Sequence, residues 1–402
     1  MSVSPSTLTR LRCFWWTLHR WIALALCMLL VPIAISGALL VWKDELDALA
    51  HPARYAVTAD APTAPSAYLA SARAALPPGF APMGVRFPAE DGQPVTVLAR
   101  GEGARQLLIV YHDPPTGRAL DVVDFRSSLI GFLHRFHENL TIPDYSGRAI
   151  VGWAGVGMLV LSLTGIWLWW PRNGAFLHGL HWRRSGSTNT NLHHLLGFWI
   201  SLPLAFVSLT GIYLSFPQTA RSTMAAIAPM NPPGRPIFAG QLARETQLTA
   251  DAALEAARAA KASWRPAAVF LPTIAQDGPQ REGPQGGRRG ERPGAEQSPP
   301  PTWRVQLRHP ESSEMATVLV SDRTGAAQVM PEPLSGDRAA QWIRFLHEGS
   351  RGGIVWQWLV FLTGVFPPIF AVTGIVMWVR GRRRRVDSNR TAQEAGAMQA
   401  AE

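Results

Sequence analysis

Residues 18–42 read LHRWIALALCMLLVPIAISGALLVW, and from Trp21 to Trp42 no side chain is charged. A bilayer hydrocarbon core of about 30 Å needs about 20 helical residues, so this run is long enough to span one. It also exceeds the roughly 7–15-residue apolar core of a secretory signal. Ala48-Leu49-Ala50 resembles a cleavage site, but the run reads as a retained anchor. Three further uncharged runs follow at Ile150–Trp170, Leu195–Phe216 and Ile354–Val379. Pro32, Pro203, Pro367 and Pro368 fall inside these runs; neighbouring helices can satisfy the carbonyls they free. Trp15, Trp16, Trp42, Trp169, Trp170 and Trp378 stand at the ends, as an aromatic belt does.

Composition agrees with a membrane protein. Of 402 residues only 16% are charged, against about 25% in soluble domains. The formal net charge of +10 comes almost wholly from arginine, since Lys43 and Lys261 are the only lysines. The arginines are a topology signal. Residues 1–20 carry Arg10, Arg12 and Arg20 without an acid, and the loop 171–192 carries Arg172, Arg183 and Arg184 without an acid. Arg380, Arg382, Arg383, Arg384 and Arg385 open the tail. The positive-inside rule places both termini and that loop in the cytoplasm, and 43–149 and 217–353 outside. With no basic patch on a folded reading element, nucleic acid is not expected as a partner; the lipid bilayer is. Two cysteines, Cys13 and Cys27, exclude a disulfide scaffold, a cysteine zinc site and an iron–sulfur cluster, and no CxxCH motif for covalent haem is present.

The two outer segments repeat one order of elements. In the first, a helical pattern at Pro65–Leu76 precedes strand-like runs at Val85–Pro88, Val95–Ala99 and Leu107–His112 and an Asp113–Gly117 turn. In the second, a helical pattern at Leu248–Lys261, with Thr249 as N-cap, precedes strand-like runs at Ala267–Leu271, Trp303–Arg308 and Ala316–Val320 and a Ser321–Gly325 turn. The spans repeat too: each carries a small residue followed by Gly, at Ser36-Gly37, Thr164-Gly165, Thr210-Gly211 and Thr373-Gly374. The fold class expected is an α-helical membrane protein: four transmembrane helices in two span–domain–span repeats, with two small α+β periplasmic domains. The order is a cytoplasmic N-terminus (1–20), a first span (21–42), a first periplasmic domain (43–126) and an outer histidine segment with the second span (127–170). A cytoplasmic loop (171–192), a third span (193–216) and a second periplasmic domain (217–338) with a disordered insertion (276–301) follow. An outer histidine segment with the fourth span (339–379) and a basic cytoplasmic tail (380–402) complete it.

Four of the eleven histidines fit the repeat. His19 and His193 each lie eighteen residues before a span glycine, Gly37 and Gly211, and open spans 1 and 3 at the cytoplasmic side. His137 and His347 precede spans 2 and 4 at the outer side, before Gly165 and Gly374. A two-fold relation between the repeats brings one pair together at each membrane face. Zinc usually takes four ligands, whereas b-type haem needs only two axial ones. A glycine on the ligand's own helix face leaves room for a flat macrocycle. Interfacial histidines also serve as plain polar anchors. His134, one turn before His137, and His194, beside His193, are second choices. His178 and His181 share a helix face in the cytoplasmic loop, and His51, His112 and His309 read as ordinary surface residues.

The ordered motifs Leu18-His-Arg-Trp-Ile22, Phe136-His-Glu-Asn-Leu140, Leu192-His-His-Leu-Leu-Gly197 and Leu346-His-Glu-Gly349 resemble the PepSY-associated transmembrane family. So do Leu163–Arg172 and the paired Asp–Thr–Gly turns. The resemblance implies four transmembrane helices, two periplasmic PepSY-like domains and b-type haems, two in number, held by His19, His137, His193 and His347. Ala23 stands where the family often has Gly, while Gly197 keeps it. Members include inner-membrane ferric-siderophore reductases of the ferrioxamine type, so the resemblance implies a bacterial inner-membrane oxidoreductase. Its partners would be a ferric siderophore and a cytoplasmic or membrane electron donor. Alternatives are a conduit to another acceptor, such as a quinone or periplasmic protein, and a non-redox siderophore permease or PepSY regulator. The span cores hold no Asp, Glu, Lys or Arg, which counts against ion-coupled transport.

Overall fold

The computed structural model describes residues 5–101, 106–142, 144–170, 187–232, 241–243, 245–274, 301–312 and 314–399. In chain order its helices are α1 (Pro5–Val41), α2 (Lys43–Ala50), α3 (Pro65–Ala75), α4 (Leu129–Asn139), α5 (Asp144–Trp169), α6 (Thr188–Ser215), α7 (Pro217–Ile227), α8 (Ala250–Ala260), α9 (Ser335–Glu348) and α10 (Gly353–Gln399). The strands are β1 (Phe80–Arg86), β2 (Val95–Gly101), β3 (Leu107–His112), β4 (Ala119–Asp124), β5 (Gln241–Leu242), β6 (Arg265–Phe270), β7 (Thr273–Ile274), β8 (Thr302–Arg308), β9 (Met315–Ser321) and β10 (Ala327–Val329). They form two compact units, one of residues 1–43, 132–230 and 335–402, the other of residues 44–131 and 231–334.

The first unit is a helix bundle. Four of its helices hold stretches long and apolar enough to cross a membrane: Thr9–Val41, Tyr145–Trp169, Thr188–Ser215 and Gly353–Asn389. The first three stop one residue before the uncharged runs end, at Trp42, Trp170 and Phe216, and the fourth contains its whole run; each also extends beyond its run on the N-terminal side. Packing runs α1 on α5, α5 on α6, α6 on α10 and α10 on α1, a closed ring of neighbours. The usual polarity is inverted. Ser36, Ser162, Thr164, Ser201, Ser208, Thr210, Thr363 and Thr373 are buried, while Met28, Trp153, Trp199, Leu202, Val355 and Val372 are exposed. Small side chains let apolar helices approach closely, and their hydroxyls find backbone carbonyls within the helix. At the crossing of α1 and α10, a Cβ on Gly364 would lie 2.6 Å from the Ala34 carbonyl oxygen. Arg12 donates from Nη2 to the Leu168 carbonyl at the end of α5 (3.0 Å), satisfying an acceptor the helix leaves open.

The strands of the two small α+β domains expected outside the spans lie together in the second unit. Both strand runs enter one eight-stranded antiparallel sheet, ordered β10-β9-β8-β6-β1-β2-β3-β4. The seam is β1 against β6, with Gly84 opposite Phe270, Val85 opposite Val269 and Arg86 opposite Ala268. Left apart, β1 and β6 would each present an unpaired edge, and pairing them removes both edges. Gly84 permits this, because a Cβ there would lie 2.6 Å from Phe270 Cδ1 and 2.7 Å from the Val269 carbonyl oxygen. Helices α3 and α8 pack Tyr68, Leu69, Ala72, Ala253, Leu254 and Ala257 onto the sheet's inward residues. In β8 the burial alternates strictly, Trp303, Val305 and Leu307 facing in, as a two-residue side-chain period requires.

Several local expectations hold. Thr249 caps α8, its side chain accepting from Ala252 N at 3.1 Å. The turn aspartates brace the chain ahead of each helix. Asp113 accepts from Thr58 N (2.8 Å), and Asp322 from Gln247 N (2.9 Å) and Trp303 Nε1 (2.7 Å). The sequence does not predict strands β4 and β10, each of which pairs with the strand before the turn. The 276–301 insertion, apart from Pro301, lies outside the described residues, as do His178 and His181.

His112 corrects another reading: its ring is fully buried, not on the surface. Leu108, Val110 and His112 share one parity of β3 and face the core together. The ring meets Tyr68 edge-on at 5.7 Å, and among the described residues neither ring nitrogen has a partner at good hydrogen-bond geometry. Burial pushes its pKa down to about 4 from the ordinary 6.5.

Two predictions follow from this unit. Gly84→Val should cost about 1–3 kcal/mol and selectively lose hydrogen-exchange protection in β1 and β6 of the detergent-solubilised protein. Between pH 6.5 and 4 the unfolded chain binds a proton that folded His112 refuses, so stability falls as pH drops through that window. Substituting His112→Leu should flatten this acid limb of the thermal midpoint; an unchanged limb contradicts the assignment.

Candidate functional site

Four histidines anchor to the spans in one recurring way. In α4, Leu133 and His137 share a face one turn apart, and Leu133 is buried. The helix ends at Leu140 and Thr141, both left-handed (φ 57° and 60°), and the chain turns into α5. His137 is thereby delivered to α1. Its Nδ1 donates to the Ile33 carbonyl (2.9 Å), with Ser36 Oγ at 3.4 Å. His347, near the end of α9, does the same on α6. Its Nδ1 donates to the Val207 carbonyl (3.1 Å) and lies 3.0 Å from Thr210 Oγ1. The two rings face each other with centroids 6.2 Å apart, tilted by 39°.

At the opposite end of the bundle, near Trp169, His19 Nδ1 lies 2.8 Å from Thr164 Oγ1 of α5. His193 Nδ1 lies 2.8 Å from Thr373 Oγ1 of α10. Each threonine hydroxyl already donates to its own helix, Thr164 to the Val160 carbonyl (2.7 Å) and Thr373 to the Ile369 carbonyl (2.8 Å). The hydroxyl oxygens therefore accept, and the imidazoles donate. His19 and His193 are near enough to interact electrostatically.

All four rings thus carry their proton on Nδ1, because a carbonyl or an already-donating hydroxyl can only accept from it. Each Nε2 is left with its lone pair, the state in which imidazole ligates a metal. At the Trp42 end burial keeps both rings neutral, lowering the pKa of His137 and bringing that of His347 down to about 4.

The span glycines face histidines that come from other helices. A Cβ on Gly37 would lie 2.6 Å from Cε1 of His137, and one on Gly211 3.0 Å from Cε1 of His347. Gly165 faces His19 at 3.7 Å and Gly374 faces His193 at 3.9 Å. Each Ser/Thr-Gly pair is thus a seat for a histidine from elsewhere in the bundle: the hydroxyl holds the ring and the glycine clears its edge. Sequence reasoning found the pairs as a packing motif and missed this role. The signal was available in the fixed position of the hydroxyl residue directly before each glycine.

The second-choice histidines take other places. His134 is half exposed and lies 3.5 Å from Glu138. His194 has its ring edge-on to His193 at 6.3 Å and interacts electrostatically with His19. Around the Trp42-end pair, Arg148 bonds Glu138 (2.6 Å), Arg344 lies 3.6 Å from Glu348, and Arg351 stacks on Phe345 at 4.0 Å. Among the described residues no three His, Cys, Asp or Glu side chains gather as a metal cluster. The ligating capacity is two facing imidazoles at one end and two neighbouring ones at the other.

A family model described as "PepSY-associated TM region" matches residues 16–381, a stretch that includes all four histidines. A comparison with curated proteins finds no match.

The seats differ in tolerance. Gly37→Ala should lower the thermal midpoint of the detergent-solubilised protein, at a cost of about 1–3 kcal/mol, because the His137 ring must give way. Gly374→Ala places its methyl at ordinary contact distance and should cost less than about 1 kcal/mol; equal effects would contradict the seating.

Proposed function

The chain belongs to the PepSY-associated TM family, and on that premise we propose that it is a haem-b-containing inner-membrane reductase. It moves electrons from the cytoplasmic side to the periplasm, where it reduces ferric siderophore and releases iron. His19 and His193 hold one haem and His137 and His347 a second. The observation that carries the reading is the facing pair His137 and His347, with each Nε2 lone pair left free by a committed Nδ1–H. The two rings, with centroids 6.2 Å apart, would be the residues that hold the haem iron at this end. A site with two imidazoles and, among the described residues, no gathered thiolate or carboxylate suits an ion whose other ligands come from a macrocycle.

Bound there, haem supplies reversible one-electron chemistry. The chain's own residues do the rest. Ile33, Thr164, Val207 and Thr373 fix ring orientation and tautomer. Gly37 and Gly211 admit the rings at close range. The apolar spans exclude water. His19 and the Ile33 carbonyl that holds His137 lie on one helix fourteen residues apart, a rise of about 21 Å, so the two ligand pairs stand near opposite faces of the bundle. Arginine placement supports cytoplasmic termini. The matching seats, Ile33/Ser36/Gly37 with Val207/Thr210/Gly211, and the two strand runs support a duplicated span–domain–span chain with PepSY-like halves. The substrate logic rests on donor hardness: siderophores hold ferric iron through hard oxygens that match ferrous iron less well, so one-electron reduction loosens the ion.

Protein purified from haem-replete cells should show a b-type reduced-minus-oxidised spectrum with about two haems per chain by pyridine haemochrome. His137→Ala or His347→Ala should remove one haem, and His19→Ala or His193→Ala the other. Ferric-chelate reduction should be lost with either. Absence of haem would sink the reading and favour a permease or regulator.

A further inference from the structure

The two histidine pairs differ in what accepts their Nδ1 protons. At the Trp42 end the acceptors include backbone carbonyls, Ile33 for His137 (2.9 Å) and Val207 for His347 (3.1 Å), with Ser36 and Thr210 hydroxyls beside them. At the Trp169 end each imidazole is held by a threonine hydroxyl, Thr164 or Thr373, both at 2.8 Å. An amide carbonyl is the stronger acceptor, and a stronger acceptor makes the imidazole a more basic ligand. A more basic axial ligand favours ferric over ferrous iron and lowers the potential, since second-shell hydrogen bonding is one of the levers on a haem.

The charges nearby do not reverse this difference. At the Trp42 end Glu138 and His134 act on His137 and Arg344 on His347, while Glu138 bonds Arg148 and Arg344 lies 3.6 Å from Glu348, so the charges there are largely paired. At the Trp169 end, among the described residues, His194 acts on His19 and on His193, His19 also acts on His193, and Arg20 lies over the Trp16 and Trp21 rings. These groups are neutral or cationic, and added positive charge raises a potential.

We propose that the two sites are poised unequally, the His137/His347 site at the lower potential, with Thr164 and Thr373 as positioning residues that set the higher one. The inference rests on the haem reading above. It places the stronger one-electron donor at the Trp42 end, the side that reading assigns to the ferric chelate. The asymmetry is written into the seats, because a carbonyl cannot be removed by a side-chain substitution, whereas a threonine hydroxyl can.

The test is a spectroelectrochemical titration of the purified full-length holoprotein. Wild type should show two one-electron waves, and His137→Ala should abolish the lower. In the double variant Thr164→Val/Thr373→Val, the upper wave should shift toward reduced haem by about tenfold in the equilibrium, while the lower stays. Thr164→Ser/Thr373→Ser keeps both hydroxyls and should keep the wild-type wave, which separates hydrogen bonding from packing. Ser36→Ala/Thr210→Val leaves the carbonyls in place and should move the lower wave little. A single shared potential, a lower wave that survives His137→Ala but vanishes with His19→Ala, or an equal response to the two double variants would overturn the inference. Wild-type protein without haem would instead overturn the reading beneath it, and the inference with it.

Discussion

The imidazole N–H bond to an acceptor on another helix is the constraint that organises the bundle. A neutral histidine in an apolar setting has one proton to place, and an unplaced one is costly. Each of the four rings places it on a span other than its own: α4 on α1, α9 on α6, α1 on α5 and α6 on α10. Those bonds need close approach, which a Cβ at Gly37 or Gly211 would block. They also need an acceptor at a set height on the neighbouring helix, which fixes how the helices slide against one another. The buried hydroxyls and the apolar outer faces follow from the same demand, since polar capacity is wanted only where the rings arrive.

This gives the Ser/Thr-Gly pairs a reason beyond packing. In membrane helices small residues let backbones approach, and Gly364 against Ala34 does that and nothing else. The four pairs have a second partner each, a ring rather than a backbone. The seats with carbonyl acceptors are also the tighter ones, at 2.6 and 3.0 Å against 3.7 and 3.9 Å. A ring that reaches a carbonyl as well as the hydroxyl lies deeper against the helix than one held by a hydroxyl alone.

Much of this was legible in the chain. The uncharged runs located the spans because lipid leaves few alternatives to a long apolar helix. The equal spacing of His19 and His193 before their glycines pointed to two rings that contact hydroxyls of other helices. What spacing along a helix cannot reveal is which neighbouring helix a residue faces, so Gly37 was paired with His19 when it faces His137. The sheet failed differently. Alternation identified the inward residues of β8 and the helices α3 and α8, but whether two strand runs make two sheets or one depends on an edge, and an edge has no local pattern. His112 was misjudged by residue type, although its parity with Leu108 and Val110 already put it inside.

The seam between β1 and β6 also sets an order of events during synthesis. Arg86 pairs with Ala268, and between them the ribosome must make α5 and α6, both long and apolar enough to span a membrane. Until β6 emerges, the first four strands stand as a finished half-sheet with β1 open along one side. Local contacts form early and such distant ones late, so this half-sheet is the species most exposed to mispairing with another nascent chain. The irregularity in β1 between Pro82 and Gly84, seen in its pairing with β2, bends the strand whose other side is open. It makes the edge a poorer template for strangers while it waits for its partner.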